Sequence, residues 1–176
     1  MLEDDRTAPT HPRLEGDDTS RQGPAPKKLG RYQVLGLLGH GGMGIVYAAF
    51  DEQLRRRVAI KEIDRSGEDP RRRRRARREA QALARVTHPN IVAVHEVLEL
   101  DARLCIVMEH VAGQTLRQWL HHQRPARSEL LSVLVQAGRG IAAAHAAGLV
   151  HRDLKPDNIM VGDDGRPAVS WSPTLR

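Results

Sequence analysis

The chain has 176 residues, enough for one domain of ordinary size or slightly more. Apolar residues make up 40% of it and aromatics only 3%, so a core must be built from Leu, Val, Ile and Ala. The net charge of +6 permits acidic, phosphorylated or nucleic-acid partners, the single cysteine excludes an internal disulfide framework, and no stretch approaches the roughly 18 apolar residues of a membrane span.

Residues 1–29 are rich in Pro, Asp, Arg, Thr and Gly, a composition that predicts a disordered extension. Glu3, Asp4 and Asp5, with no apolar run behind them, do not read as a signal peptide, and a cytoplasmic chain is the expectation. Order is predicted to begin with the strand Arg31–Leu35, followed by a glycine-dense segment and strands at Ile45–Phe50 and Arg57–Ile63. Asp69-Pro70 reads as a helix start, and the helix should run to about Val86, where His88-Pro89-Asn90 breaks it. Two strands follow, Ile91–Leu100 and Arg103–Met108, then a short helix at Thr115–His121 and a long one at Ser128–Ala147, closed by Gly148. Ile159–Val161 and Pro167–Val169 flank Gly162-Asp163-Asp164-Gly165, a hairpin signal. Strands, one helix, strands and then helices make an α+β chain.

Several segments carry chemistry. Gly39-His40-Gly41-Gly42-Met43-Gly44-Ile45-Val46 fits G-x-G-x-x-G-x-V, with glycines where backbone N–H groups must approach phosphate oxygens unobstructed. A β-branched and aromatic strand follows it, whereas dinucleotide-binding folds place a helix there. In Val58-Ala59-Ile60-Lys61, alternation puts Lys61 on the same face as the small Ala59, as a cleft would require. Glu79 falls within an apolar helical stripe of Ala76, Ala80, Leu83 and Ala84, where a carboxylate is costly unless a cation meets it. Either Lys61 or a neighbouring arginine could serve. Arg71–Arg75, Arg77 and Arg78 read first as a solvated helix face and second as a dock for a phosphoprotein or acidic partner; no aromatic platform accompanies them, which argues against nucleic acid. The nine histidines show no metal-site spacing, and Cys105 reads as a small core residue.

His151-Arg152-Asp153-Leu154-Lys155-Pro156-Asp157-Asn158 matches H-R-D-L-x-x-x-N at every fixed position. With the glycine and V-A-I-K segments it resembles the Ser/Thr protein kinases, most closely their bacterial branch. The resemblance covers about Gly30 to Val169. It implies a two-lobed kinase-like fold: a complete N-lobe and hinge over 30–111 and a partial helical C-lobe over 112–176. It implies ATP and Mg²⁺ as cofactors and a protein Ser or Thr hydroxyl as phosphoryl acceptor. By the same resemblance, Asp153 would take the hydroxyl proton, Lys155 would offset charge on the transferred group, and Asn158 would hold metal. Lys61 would contact the α- and β-phosphates and pair with Glu79. Gly39, His40, Gly41, Gly42, Met43, Gly44, Val46 and Ala59 would surround the nucleotide, with Met108 as gatekeeper and Glu109 and Val111 at the adenine edge.

The pattern then departs from the family. Counting forward from Asn158, the Asp-Phe-Gly motif should fall at Trp171, Ser172 and Pro173, and indole supplies no hard oxygen for Mg²⁺. The expectation is a domain truncated within the C-lobe, with impaired metal binding, slow or absent phosphoryl transfer, and Leu130, Leu134 and Ile141 partly exposed. The alternatives are a nucleotide-binding or protein-docking module without catalysis, or a remnant without function.

Overall fold

Short runs rich in β-branched and other apolar residues, at 45–50, 57–63 and 103–108, pair into one antiparallel sheet. The structure, a computed structural model, describes residues 26–41, 44–63, 70–100 and 103–171. Strands β1 (Lys28–Leu29), β2 (Tyr32–Gly41), β3 (Gly44–Asp51), β4 (Arg56–Ile63), β5 (Val94–Leu100) and β6 (Arg103–Glu109) lie in the order β1-β2-β3-β4-β6-β5. Helix α1 (Pro70–Leu83) links β4 to β5 and packs on β5 and β6. Beyond β6 come β7 (Gly113–Thr115), α2 (Leu116–Gln123), α3 (Arg127–Ala146), a 3-10 turn at Pro156–Asn158, β8 (Ile159–Gly162) and β9 (Pro167–Val169). The last three strands form a second sheet, β7-β8-β9.

Alternation along the strands divides the apolar residues between two clusters. Val58 and Ile60 of β4 join Leu29, Tyr32, Tyr47, Ala49, Cys105 and Val107 on one face. Ala59 and Ile63 turn the other way, toward Ala76 and Ala80 of α1 and Ile106 and Met108 of β6. Each fully buried Val or Ile stabilises by about 1.5–3 kcal/mol over exposure. The first strands also reach the far edge of the sheet. The Tyr32 hydroxyl donates to Glu96 at 2.6 Å and Arg31 pairs with the same carboxylate at 2.8 Å, which curls β2 toward β5.

The helices start and stop where local chemistry tells them to. Thr115 caps α2, accepting from the Gln118 N–H at 3.2 Å while Gln118 Oε1 accepts from the Thr115 N–H at 3.0 Å. Gly148, at φ +76°, closes α3 with its N–H on the His145 carbonyl at 2.9 Å, and the Leu149 N–H returns to Ala144 at 2.9 Å. A third cluster, including Leu83, Ile91, Leu116, Val133, Ala137, Ile159 and Trp171, forms around α3. No helix among the described residues is long and apolar enough to cross a membrane.

Three expectations are corrected. Leu29, placed in the disordered extension, is buried in β1: Gly30 at φ +58° turns the chain so that Leu29 pairs with Tyr32. Residues 1–25 lie outside the described residues. Helix α1 ends at Leu83, leaving Ala84 exposed. The strand expected from Ile91 begins at Val94, because residues 90–92 bond to β9 instead: Val92 N–H to the Val169 carbonyl and Val169 N–H to the Asn90 carbonyl, both at 2.9 Å. On α3, as expected, Leu134 is exposed and Leu130 and Ile141 are partly exposed while packing against the third cluster; Leu131 and Val135 are exposed beside them.

Candidate active site

Strand register builds the first wall of a cleft. Ala48, Ala59 and Met108 stand opposite one another across β3, β4 and β6, and Val46, Lys61 and Ile106 form the next row. Val46 and Val111 pack against the cluster that holds Ala59 and Met108. Lys61 therefore projects from the end of an apolar surface. Burial pushes its ammonium pKa down to about 8, opposed by the Asp153 carboxylate and assisted by the Lys155 charge. Above this wall β2 pairs Gly39 with Val46, His40 with Ile45 and Gly41 with Gly44. Gly44 has φ +118°, and a Cβ there would lie 1.9 Å from the Glu62 carbonyl oxygen, so only glycine is tolerated. Gly42 and Met43 lie outside the described residues.

The catalytic-loop residues assemble on the opposite side. His151 is 3% exposed, and its Nε2–H donates to the Ser170 carbonyl at 2.9 Å. That bond fixes the tautomer, leaving Nδ1 as acceptor toward the Asp153 N–H at 3.4 Å. Desolvation holds the imidazole below its ordinary pKa, so the ring is neutral. Arg152 adopts φ +62°, a left-handed conformation uncommon for a residue with a side chain. Asp153 Oδ2 lies 3.0 Å from Lys155 Nζ and accepts from Asn158 Nδ2 at 3.2 Å, while the same amide donates to the Asp153 carbonyl at 2.7 Å. The Lys155 contact, more than any other, holds the Asp153 pKa below the usual carboxylate range. An ionised carboxylate beside a fixed cation is suited to accept a proton from a hydroxyl.

Glu79 is met by arginines from two elements. Its Oε1 lies 3.3 Å from Arg75 Nε, one turn back on α1, and 3.6 Å from Arg152 Nη1 of the catalytic loop. One of them, Arg75, is a neighbouring arginine of the kind the sequence offered; the other comes from the catalytic loop. Trp171 is 5% exposed, and its ring centroid lies 4.5 Å from that of His151. Indole offers no oxygen ligand, so of the two metal-holding positions the resemblance implies, only Asn158 has the right chemistry. Ser172 and Pro173 lie outside the described residues.

Two contacts at this site had no signal in the sequence. Arg117 of α2 grips Asp157 through paired bonds of 2.7 and 2.8 Å, anchoring the loop that carries Asn158. Arg166 of the β8–β9 connection pairs with Glu109 at the end of β6. A shallow cavity of about 240 Å³ also opens behind this segment, lined by Val111, Ala112, Gly162, Asp163, Asp164 and Arg166; it is separate from the Lys61–Asp153 cleft.

Known proteins share this arrangement. The family profile of the protein kinase domain matches residues 32–170. The chain is 42% identical over 143 residues to the serine/threonine-protein kinase PrkC of Bacillus subtilis, covering 80% of this chain and 22% of that protein. It is 38% identical over 153 residues to PknE of Mycobacterium tuberculosis, covering 86% of this chain and 26% of that protein. The chain thus spans about a fifth to a quarter of these curated relatives. Among solved structures, the M. tuberculosis PknI kinase domain superposes with a TM-score of 0.72 at 32% identity, over 83% of this chain and 61% of that one. The apo form of PpkA-294 reaches 0.77 at 24% identity, over 89% and 63%, a likeness of fold alone. With the profile spanning most of the sequence, the chain belongs to the protein kinase domain family.

Proposed function

We propose that the chain is the nucleotide-binding and catalytic-loop portion of a Ser/Thr protein kinase, taking ATP between the β2–β3 hairpin and the loop at Asp153. The observation that carries this reading is the approach of Asp153, with Lys155 and Asn158 bound to it, close enough to Lys61 to influence its charge. In this role the apolar wall of Val46, Ala59 and Met108 receives the base, with the backbone of Glu109 and Val111 at its edge, and Lys61 meets the phosphates. Gly39, His40, Gly41, Gly42, Met43 and Gly44 cover them. Glu79 orders α1 beside the site. ATP supplies the transferable phosphoryl group. Asp153 receives the acceptor hydroxyl's proton, and Lys155 offsets charge on the moving group. Lysine two residues after the aspartate, together with the Ser/Thr kinases among the relatives, supports a Ser or Thr acceptor on a protein.

Trp171 favours a second reading of the same cleft: a module that holds nucleotide while transferring phosphate slowly or not at all. Its indole stands where the family places a metal-binding carboxylate, and Asn158 alone makes a poor Mg²⁺ site. An acidic or phosphorylated protein partner docked on the Arg71–Arg78 face of α1, in a cytoplasmic setting, fits this reading as well.

Thermal melts of the chain with ATP, with and without Mg²⁺, test both. Ligand at about a hundred times its Kd adds roughly 2.7 kcal/mol of stability. The expected result is an upward shift with ATP, abolished by Lys61→Met, that Mg²⁺ increases little. No shift with nucleotide in any form would sink the ATP reading. A shift that depends strongly on Mg²⁺, with phosphate transfer lost in Asp153→Asn, would sink the second reading and leave the first.

A further inference from the structure

We propose that Arg166 is a positioning residue for the nucleotide base: it clamps the segment 109–113, whose backbone borders the base, to the β8–β9 hairpin. The inference rests on reading the cleft as a nucleotide site and adds a residue from outside the motifs that define it.

The contacts converge on one residue. Arg166 Nη2 donates to Glu109 Oε1, and Nη1 donates to the Pro89 carbonyl at 2.6 Å. The other Glu109 oxygen accepts from the Ala93 N–H at 3.4 Å, and the Glu109 N–H donates to the Ala93 carbonyl at 2.8 Å. Glu109 is therefore held through its backbone and both carboxylate oxygens, directly after Met108. The hairpin grips the same segment further on: the Asp163 N–H donates to the Ala112 carbonyl at 2.8 Å, and Gly113 pairs with Gly162. At its far end it holds the loop before β5, with Asn90 Nδ2 on the Pro167 carbonyl at 2.8 Å and the Val92 N–H on Val169 at 2.9 Å. Segments 89–93 and 109–113 thus move together with the hairpin.

Arg166 joins both segments from the hairpin: it meets the Glu109 carboxylate and the Pro89 carbonyl. Its planar fork reaches two acceptors at once, one at the end of β6 and one in the turn before β5, which a lysine ammonium on a flexible stem does not reproduce. Both partners are only 29% exposed at the side chain, so the pair is screened less than a surface ion pair. Loss of the fork frees the Glu109 carboxylate and removes a bond from Pro89, loosening the backbone that the base would contact.

The test uses the full chain with Arg166→Met, Arg166→Lys and the double variant Glu109→Gln/Arg166→Met. Hydrogen exchange of the amides at 109–113 is measured without nucleotide, and affinity is measured with a fluorescent ATP analogue. Arg166→Met is expected to speed exchange at 109–113 about tenfold, leave β3 and β4 unchanged, and weaken analogue binding about tenfold. Arg166→Lys should recover less than half of that loss, and the double variant should bind no worse than Arg166→Met. Unchanged exchange, or unchanged affinity in a chain that binds the analogue, would overturn the clamp, as would additive losses in the double variant. Faster exchange in a chain that binds no nucleotide would overturn the nucleotide reading instead, and with it the role for the base, leaving only a structural tie.

Discussion

At the scale of single residues, Lys61 shows how burial sets the working range of a charge. Its ordinary pKa of 10.5 falls to about 8 in the folded chain. Between those values the unfolded chain holds a proton that the folded chain has released, so stability rises with pH across the window. Cys105 acts in the opposite sense: burial raises its thiol to about 11 from 9.0, so the folded chain keeps a proton that the unfolded one loses above pH 9.0. The interval from about pH 8 to 9 therefore belongs to Lys61. The melting-temperature gap between Lys61→Met and the parent chain should narrow from pH 7 to 9, and the parent's nucleotide affinity should fall over the same range as the amine loses its charge. A gap that stays constant with pH would show that the ammonium is not buried at this site. The placement of Lys61 was legible in the sequence because period-two alternation alone sets its face. For Glu79 the neighbouring arginine was legible, as Arg75 one turn back, but the contact from the catalytic loop was not. That contact depends on Arg152, which lies 73 residues further along the chain.

At the scale of elements, close backbone approach decides what the joints tolerate. A Cβ on Gly140 of α3 would lie 2.4 Å from the Asn90 carbonyl oxygen, and that oxygen already accepts from Val169. Neither side can yield without breaking the link between the loop before β5 and β9. Gly140→Ala is expected to cost about 1–3 kcal/mol, as overpacking of a filled interior does, whereas Gly138→Ala, with open space around it, should gain from helix propensity. Chemical denaturation of the two variants compares them directly; equal stability would mean that α3 does not seat on the loop at Asn90. The long elements were readable because their patterns are long. β7 is three residues of Gly, Gln and Thr, too short and polar to show a period, and its pairing with β8 comes from the second half of the chain. β1 escaped for a related reason: Leu29 is a lone apolar residue before a glycine, and nothing in its neighbours announces a strand.

At the scale of the whole molecule, the surface is not uniformly polar. Leu131, Leu134 and Val135 are 52, 43 and 54% exposed at helical spacing on α3, a contiguous apolar stripe. Replacing Leu131 and Val135 with Glu and Lys should reduce self-association in light scattering without lowering the melting temperature, because neither side chain is buried. A lower melting temperature would show that the stripe contributes to the fold of the single chain. The motif residues themselves were legible because each is fixed by local chemistry. The ties that orient them, Arg117 on Asp157 and Arg166 on Glu109, span 40 and 57 positions, and no local pattern encodes such a pairing.

The packing of Trp171 against His151 has a spectroscopic consequence. An imidazolium quenches indole emission more strongly than a neutral imidazole, and the two rings are 4.5 Å apart. Trp119→Phe would leave Trp171 as the only tryptophan, reporting on the catalytic loop from its packing against His151. Because His151 titrates below its ordinary 6.5, the unfolded chain binds this proton first, so stability falls as pH drops through 6.5. Emission should stay bright through that decline and dim only at lower pH, a titration that His151→Gln abolishes. Dimming centred on 6.5 would place His151 in solvent rather than beneath the indole. A side chain packed against His151 would thereby serve as an optical gauge of protonation inside the loop.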